Sequence, residues 1–164
     1  MKKKKILIAI PIVIVAIIIS VSALIMYQNK KELEDYFKIA DQAFEDFEQG
    51  VIKQDERIDK IDDSELDSPV SITALSLSGL SAPFLDLYAS LSSATVPLEV
   101  DIQEFHNEFI DIVSDYRSES ERFAKSIKKR DEYGMKESTE KMSDLVYKYK
   151  DLKKEFTSLK EKYE

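Results

Sequence analysis

The chain has one histidine and no cysteine in 164 residues. Imidazole chemistry, whether general base or metal ligation, needs a carboxylate or a second imidazole in reach. On a helix His106 faces Ile102 and Gln103 a turn before it and Phe109 and Ile110 a turn after it, so it has no such neighbour. It reads as a residue at the edge of an apolar seam. The Glu-x-x-His repeats that build di-iron sites in helical bundles are absent. Glu104 and Glu108 stand one turn apart and read as an exposed helix face, not a catalytic pair. Without Cys there is no thiolate ligand or thiol nucleophile, and no disulfide framework. With three glycines there is no phosphate-cradling loop, Gly-x-Ser-x-Gly elbow or dinucleotide fingerprint. The residues point away from an enzyme and name no catalytic residue, cofactor or metal.

Carboxylates cluster once. Asp55, Glu56, Asp59, Asp62, Asp63, Glu65 and Asp67 meet only Arg57 and Lys60. A calcium loop of EF-hand type needs a glycine at its sharp turn, and none lies between Val51 and Ser78. Cation binding therefore stays an alternative. The favoured reading is a charge clasp in which Asp59, Asp62 and Asp63 face Lys128, Lys129 and Arg130 across the end of a bundle, each exposed pair contributing little. The net charge of −8 argues against a nucleic-acid partner, which needs a basic footprint.

The elements that position these residues begin with an anchor. Residues 1–5 are a basic start with four lysines, and Ile6 to Tyr27 is a 22-residue stretch without a charge and with nine isoleucines. As a helix it is about 33 Å long, enough for a hydrocarbon core of about 30 Å. It exceeds the usual h-region of a signal peptide, which favours an uncleaved transmembrane signal anchor. The small residues Val21-Ser22-Ala23 offer the alternative, cleavage after Ala23 and a secreted product. Four lysines before the run against Lys30 and Lys31 after it place the N-terminus in the cytoplasm and residues 28–164 outside it.

The outward part has the composition of long helices with narrow seams. Leu33, Phe37, Ala40, Phe44, Phe47, Val51, Gln54, Ile58 and Ile61 follow one another at alternating spacings of four and three. Leu98, Ile102, Phe105, Phe109, Ile112, Tyr116, Glu119 and Phe123 do the same, as do Met135, Ser138, Met142, Leu145, Tyr149, Leu152, Phe156, Leu159 and Tyr163. That is heptad patterning. Gly50 lies within the first series and reads as a tolerated cost of about 1 kcal/mol. Asp67-Ser68-Pro69 and Thr95-Val96-Pro97 read as helix starts, and Ser126 to Gly134 as a tight turn near Arg130 with Asp131 as the next N-cap. Helices are expected over about 28–62, 69–94, 97–129 and 131–163. Short connections predict an all-α, antiparallel, up-down-up-down four-helix bundle, coiled-coil-like in its seams and preceded by the single transmembrane helix.

The second of these helices is unusual. Asp86 is its one charge, and seven serines interleave with leucines and aromatics from Pro69 to Leu98. A helix apolar most of the way round must be covered on more than one side. It reads as the most buried helix of the bundle, as a partner or self-association face formed by Leu77, Leu80, Phe84, Leu87, Tyr88 and Leu91, or as a membrane-associated segment. In topology alone the plan resembles prokaryotic single-pass proteins with a helical outward domain, chemoreceptor sensor bundles among them. No motif accompanies that resemblance, so it implies no activity. The expected function is non-enzymatic: a membrane-anchored, extracytoplasmic bundle acting as interaction, scaffold or accessory subunit through a protein partner or self-association. The alternative is a ligand- or cation-binding module with a pocket between helices near Tyr88, His106 and Phe109.

Overall fold

A computed structural model describes the backbone of residues 3–59 and 78–163, with side chains over 20–59 and 79–163. Among the described residues the chain is all-helical and has no strand. Four helices follow in order: α1 (Lys3–Ile58), α2 (Ser78–Ser92), α3 (Val100–Lys129) and α4 (Glu132–Tyr163). The chain divides into two compact units, Met1–Asp35 and Tyr36–Glu164. Within the first unit α1 carries an exposed Lys30–Glu34 pair at 3.9 Å. Among the described residues no helix is long and apolar enough to cross a membrane. The side chains of residues 6–19, most of the expected anchor, lie outside the described residues, as do Asp62, Asp63, Leu77 and the expected helix start at Asp67-Ser68-Pro69.

The second unit is a helical bundle whose directions follow from its side-chain pairs. Along α1, Asp41, Glu48 and Gln54 meet Lys160, Lys153 and Met142 of α4, so these helices run antiparallel. Tyr36, Phe47 and Gln54 meet His106, Tyr116 and Ser120, so α3 runs parallel to α1. Arg57 reaches Gly79 while Phe47 reaches Phe84, which makes α2 antiparallel to α1. The apolar spacing of each sequence puts one stripe inward, and aromatic rings fill the shared interior. Phe44 stacks on Phe109 at 4.6 Å between centroids, Phe47 on Tyr149 at 4.4 Å, and Phe105 on Phe156 at 5.3 Å.

Local chemistry sets the helix ends. Arg130 closes α3 in the left-handed region, φ 54°, where a non-glycine residue is disfavoured by its Cβ. Its backbone N–H donates to Ile127 and that of Asp131 to Ser126, which satisfies carbonyls left over by the last turn. Asp131 then caps α4, its Oδ1 accepting from Gly134 N–H at 2.9 Å. Glycine at 134 leaves room for this cap, because a Cβ there would sit 2.5 Å from both Asp131 Oδ2 and Ser126 Oγ and displace them. At the other end α3 starts at Val100, not at Pro97. Glu99 is the N-cap and gives no side-chain bond, whereas the Pro97 carbonyl accepts from Gln103 Nε2 at 3.2 Å. Asp101 in the first turn binds Lys162 and Tyr163, tying the end of α4 to the start of α3.

Two features of α2 bear on readings of its sequence. Leu80, Phe84, Leu87 and Leu91 are buried inside the bundle, with Phe84 against Phe47 of α1 and Tyr116 of α3, while Leu77 lies outside the described residues. Tyr88 is half-buried, with the Arg117 guanidinium 5.9 Å above its ring. Gly50 is more than a tolerated cost. A Cβ at this position would lie 3.0 Å from the Phe84 ring and 3.4 Å from Pro83, so the missing side chain lets α2 approach α1. Pro83 lies within α2 and cannot donate to the carbonyl one turn back, that of Gly79. Arg57 of α1 donates to that carbonyl instead.

Candidate functional site

The polar members of the seams converge. Gln54 of α1, read as an exception in its heptad series, donates from Nε2 to Ser120 Oγ of α3 at 3.0 Å and lies 3.7 Å from Met142 Sδ of α4. Ser120 passes its own proton to the Tyr116 carbonyl at 2.8 Å. Ser138, the exception in the α4 series, stands one turn before Met142 and is fully buried. Among the described residues Gln54 Oε1 and Ser138 Oγ meet no hydrogen-bond partner. A buried polar atom left without a partner costs about 1–3 kcal/mol, which sets the scale of what this layer can cost the bundle. What such a layer supplies is discrimination: a slipped helix would bury its polar groups against hydrocarbon. None of its groups is a base, acid or nucleophile at neutral pH.

Beside the layer α3 and α4 share a network of charges. Arg122 pairs with Glu137 at 2.6 Å, and Lys141 with Glu137 at 3.0 Å and with Glu119 at 3.5 Å. Hydrogen bonding to Lys141, then to Arg122, holds the Glu137 carboxyl below its ordinary range. Nearer the start of α3, Lys162 and then Tyr163 do the same for Asp101. Lys153 lowers Glu48, whose carboxylate also lies 3.0 Å from the Tyr149 hydroxyl. These pairs are mostly exposed and contribute modestly to stability.

His106 sits inside the bundle with Nδ1 3.2 Å from the buried Tyr36 hydroxyl. Burial disfavours its charged form and lowers its pKa from the ordinary 6.5. The unfolded chain therefore takes up this proton at a higher pH than the folded one. Stability is expected to be level above about pH 6.5 and to fall as pH drops below it, by at most about 1.4 kcal/mol per pH unit. The loss ends once the folded-state imidazole has also titrated. The carboxylates held low by Lys153, Lys162 and Lys141 add their own losses only below their ordinary values of 3.8 to 4.5. Urea unfolding of His106→Gln between about pH 7 and 5 should lack this slope; an unchanged slope would assign it elsewhere.

Of the residues named for a pocket, Phe109 is fully buried between Phe44, Phe105 and Tyr149, His106 is buried and Tyr88 is half-buried. Surface grooves lie elsewhere. One of about 610 Å³ runs between α1 and α4, with Phe47, Val51, Ile52 and Val146 along it and Lys150, Lys153 and Lys154 at its rim. A second of about 400 Å³ lies between α1 and α2 near Gly50, Pro83 and Asp86. Of the expected clasp, Asp59, Lys128, Lys129 and Arg130 are exposed, while Asp62 and Asp63 lie outside the described residues. Among the described residues no group of three or more His, Asp or Glu is placed to hold a metal ion. Residues 60–77 hold most of the acidic cluster and lie outside that description.

The polar layer was visible in the sequence only as isolated exceptions; that they meet depends on how the helices are staggered. No family model matches the chain, and no curated protein or solved structure matches it either.

Proposed function

We propose that the chain is a single-pass membrane protein whose bundle stands outside the cytoplasm and acts by contact, as an accessory or scaffold subunit, without catalysis. The observation that carries this reading is the 22-residue uncharged run behind four lysines, which belongs to the same helix, α1, that supplies the first side of the bundle. A helix that is hydrophobic all round needs an apolar surrounding, which a bilayer provides. Alkaline carbonate extraction of membranes from cells producing the full chain tests the anchor. The full-length protein is expected in the pellet, and its release at full length into the supernatant would remove the reading. Chemical cross-linking in the same membranes tests the role: a protein adduct, to itself or another chain, is expected on the bundle, and lipid adducts alone speak against a contact function.

The α1–α4 groove favours a second reading, an extracytoplasmic ligand-binding module. Its apolar floor and lysine rim suit an anionic amphiphile. A ligand of that kind should raise the unfolding temperature of the full chain in proportion to its excess over the dissociation constant. No shift with a series of fatty acids would dismiss this alternative.

A further inference from the structure

The groove between α1 and α4 has walls of opposite sign. Asp41, Glu45, Glu48 and Ile52 follow one another on α1 at steps of four, three and four, which keeps them in one row along the helix. Glu48 and Ile52 of that row line the groove, and Val146, Lys150 and Lys154 line the facing wall on α4. Within the chain Asp41 pairs with Lys160 at 2.8 Å and Glu48 with Lys153. Glu45 is exposed and, among the described residues, enters no ion pair of this kind. Lys150 is exposed with its ammonium over the Tyr147 ring, and Lys154 pairs only along its own helix, with Asp151 at 2.7 Å. Between the walls the surface is apolar: Ile52 is 49 % exposed, beside the half-buried Val51 and Val146. An anionic amphiphile would be attracted by one of these walls and repelled by the other.

A surface with an acidic and a basic wall complements a copy of itself. A twofold axis in the plane of such a contact has two settings. Across the helices, it brings α1 against α1 and α4 against α4, acid row on acid row and lysine on lysine, which is repulsive. Along the helices, it brings α1 of each copy against α4 of the other and leaves every residue at its own level. The levels follow from the pairs within the chain. Since Asp41 meets Lys160 and Glu48 meets Lys153, Lys154 stands between Glu45 and Glu48, and Lys150 between Glu48 and Ile52. Opposite charges therefore coincide, and Ile52 of each copy closes on the apolar floor of the other. We propose that the α1–α4 groove is the contact surface of the bundle and that its partner is a second copy of the chain, paired about an axis along the helices. This rests on the contact reading and gives that contact its partner. Two helix widths over a length of about 25 Å offer roughly 500 Å² a side, the small end of specific interfaces, so the pair is expected to be reversible.

The absence of cysteine makes the pairing readable in the full chain. Chains carrying Glu45→Cys and Lys154→Cys, told apart by their tags, are produced together and treated in their membranes with a short bis-maleimide. A mixed covalent dimer is expected at several-fold the yield of either variant alone, and Glu108→Cys, on the exposed face of α3, should give none. Sedimentation of the purified full chain in mild detergent then reads the charges. Glu45→Lys should lower the dimer fraction several-fold, and Glu45→Lys/Lys154→Glu should restore it, because the swap returns attraction to both contacts; a folding defect would not be repaired this way. Dimers of Glu45→Cys with itself in excess of the mixed product would set acid row on acid row and overturn the proposal. A swap that restores nothing overturns it too. Capture of a different protein alone, with no mixed dimer, removes the second copy as partner and leaves the contact reading standing. No protein adduct from any position on the bundle removes both.

Discussion

Phe44→Ala is expected to destabilise the bundle by about 3–5 kcal/mol, the range for removing a buried ring and leaving its space partly unfilled. Phe44 is 2 % exposed and contacts four other rings: Phe109, Phe156, Tyr149 and Phe105, at centroid distances of 4.6, 5.1, 5.3 and 6.1 Å. It is the point where α1, α3 and α4 meet, so truncation loosens three helices at once. Its surroundings are themselves large rings held by one another, which limits their collapse into the gap. Against a total of about 5–15 kcal/mol for a domain, the loss should lower the midpoint of unfolding by roughly 10–20 °C. Near-ultraviolet circular dichroism of the tyrosines reads this transition, and Phe44→Leu, which keeps most of the apolar volume, should lose less than half as much. Tyr147→Ala, on the exposed face of α4, should stay within about 0.5 kcal/mol of the parent chain. If Phe44→Ala and Tyr147→Ala unfold together, the aromatic interior is not what holds the helices.

That interior was legible from spacing alone. Phe37, Ala40, Phe44 and Phe47, then Ile102 to Tyr116 at heptad steps, then Ser138 to Leu159, all turn out buried. Alternating three- and four-residue steps stay on one side of a helix whatever packs against it. The failures arise where that regularity says nothing. On α3 the step to Glu119 belongs to a strict seven-residue repeat, but a straight helix drifts by about 20° per heptad, and the residue facing inward is Ser120. Leu98 continues the pattern on paper and lies outside the helix in fact. Gly50 acquires its meaning from Phe84, a residue on another helix, and Arg57 from the carbonyl that Pro83 leaves free. A wide apolar surface such as that of α2 looks the same whether its cover comes from the same chain or another. Here α1 and α3 pack on Phe84, and Leu80, Leu87 and Leu91 are buried with it.

Gln54→Leu/Ser138→Ala is expected to act in the opposite sense to Phe44→Ala and stabilise the bundle by about 1–5 kcal/mol. Gln54 Oε1 and Ser138 Oγ are buried without partners among the described residues, and removing each takes away a desolvation cost of about 1–3 kcal/mol. Against this stands the loss of one hydrogen bond, from Gln54 to Ser120, with a net worth of about 1 kcal/mol. Ser120 is not stranded by the change, because its proton goes to the Tyr116 carbonyl. Leucine approximates the volume of glutamine, so no large cavity opens. The gain has a counterpart in uniqueness. With the layer made apolar, α1, α3 and α4 present near-continuous hydrocarbon seams, and shifts by a heptad or association with a second copy lose their penalty. Urea unfolding should therefore give a higher midpoint, while sedimentation or native mass spectrometry should reveal species beyond the one formed by the parent chain. A double variant less stable than the parent by more than about 1 kcal/mol would mean that the layer is satisfied in the protein and holds it together, contrary to the balance drawn from its unpaired atoms.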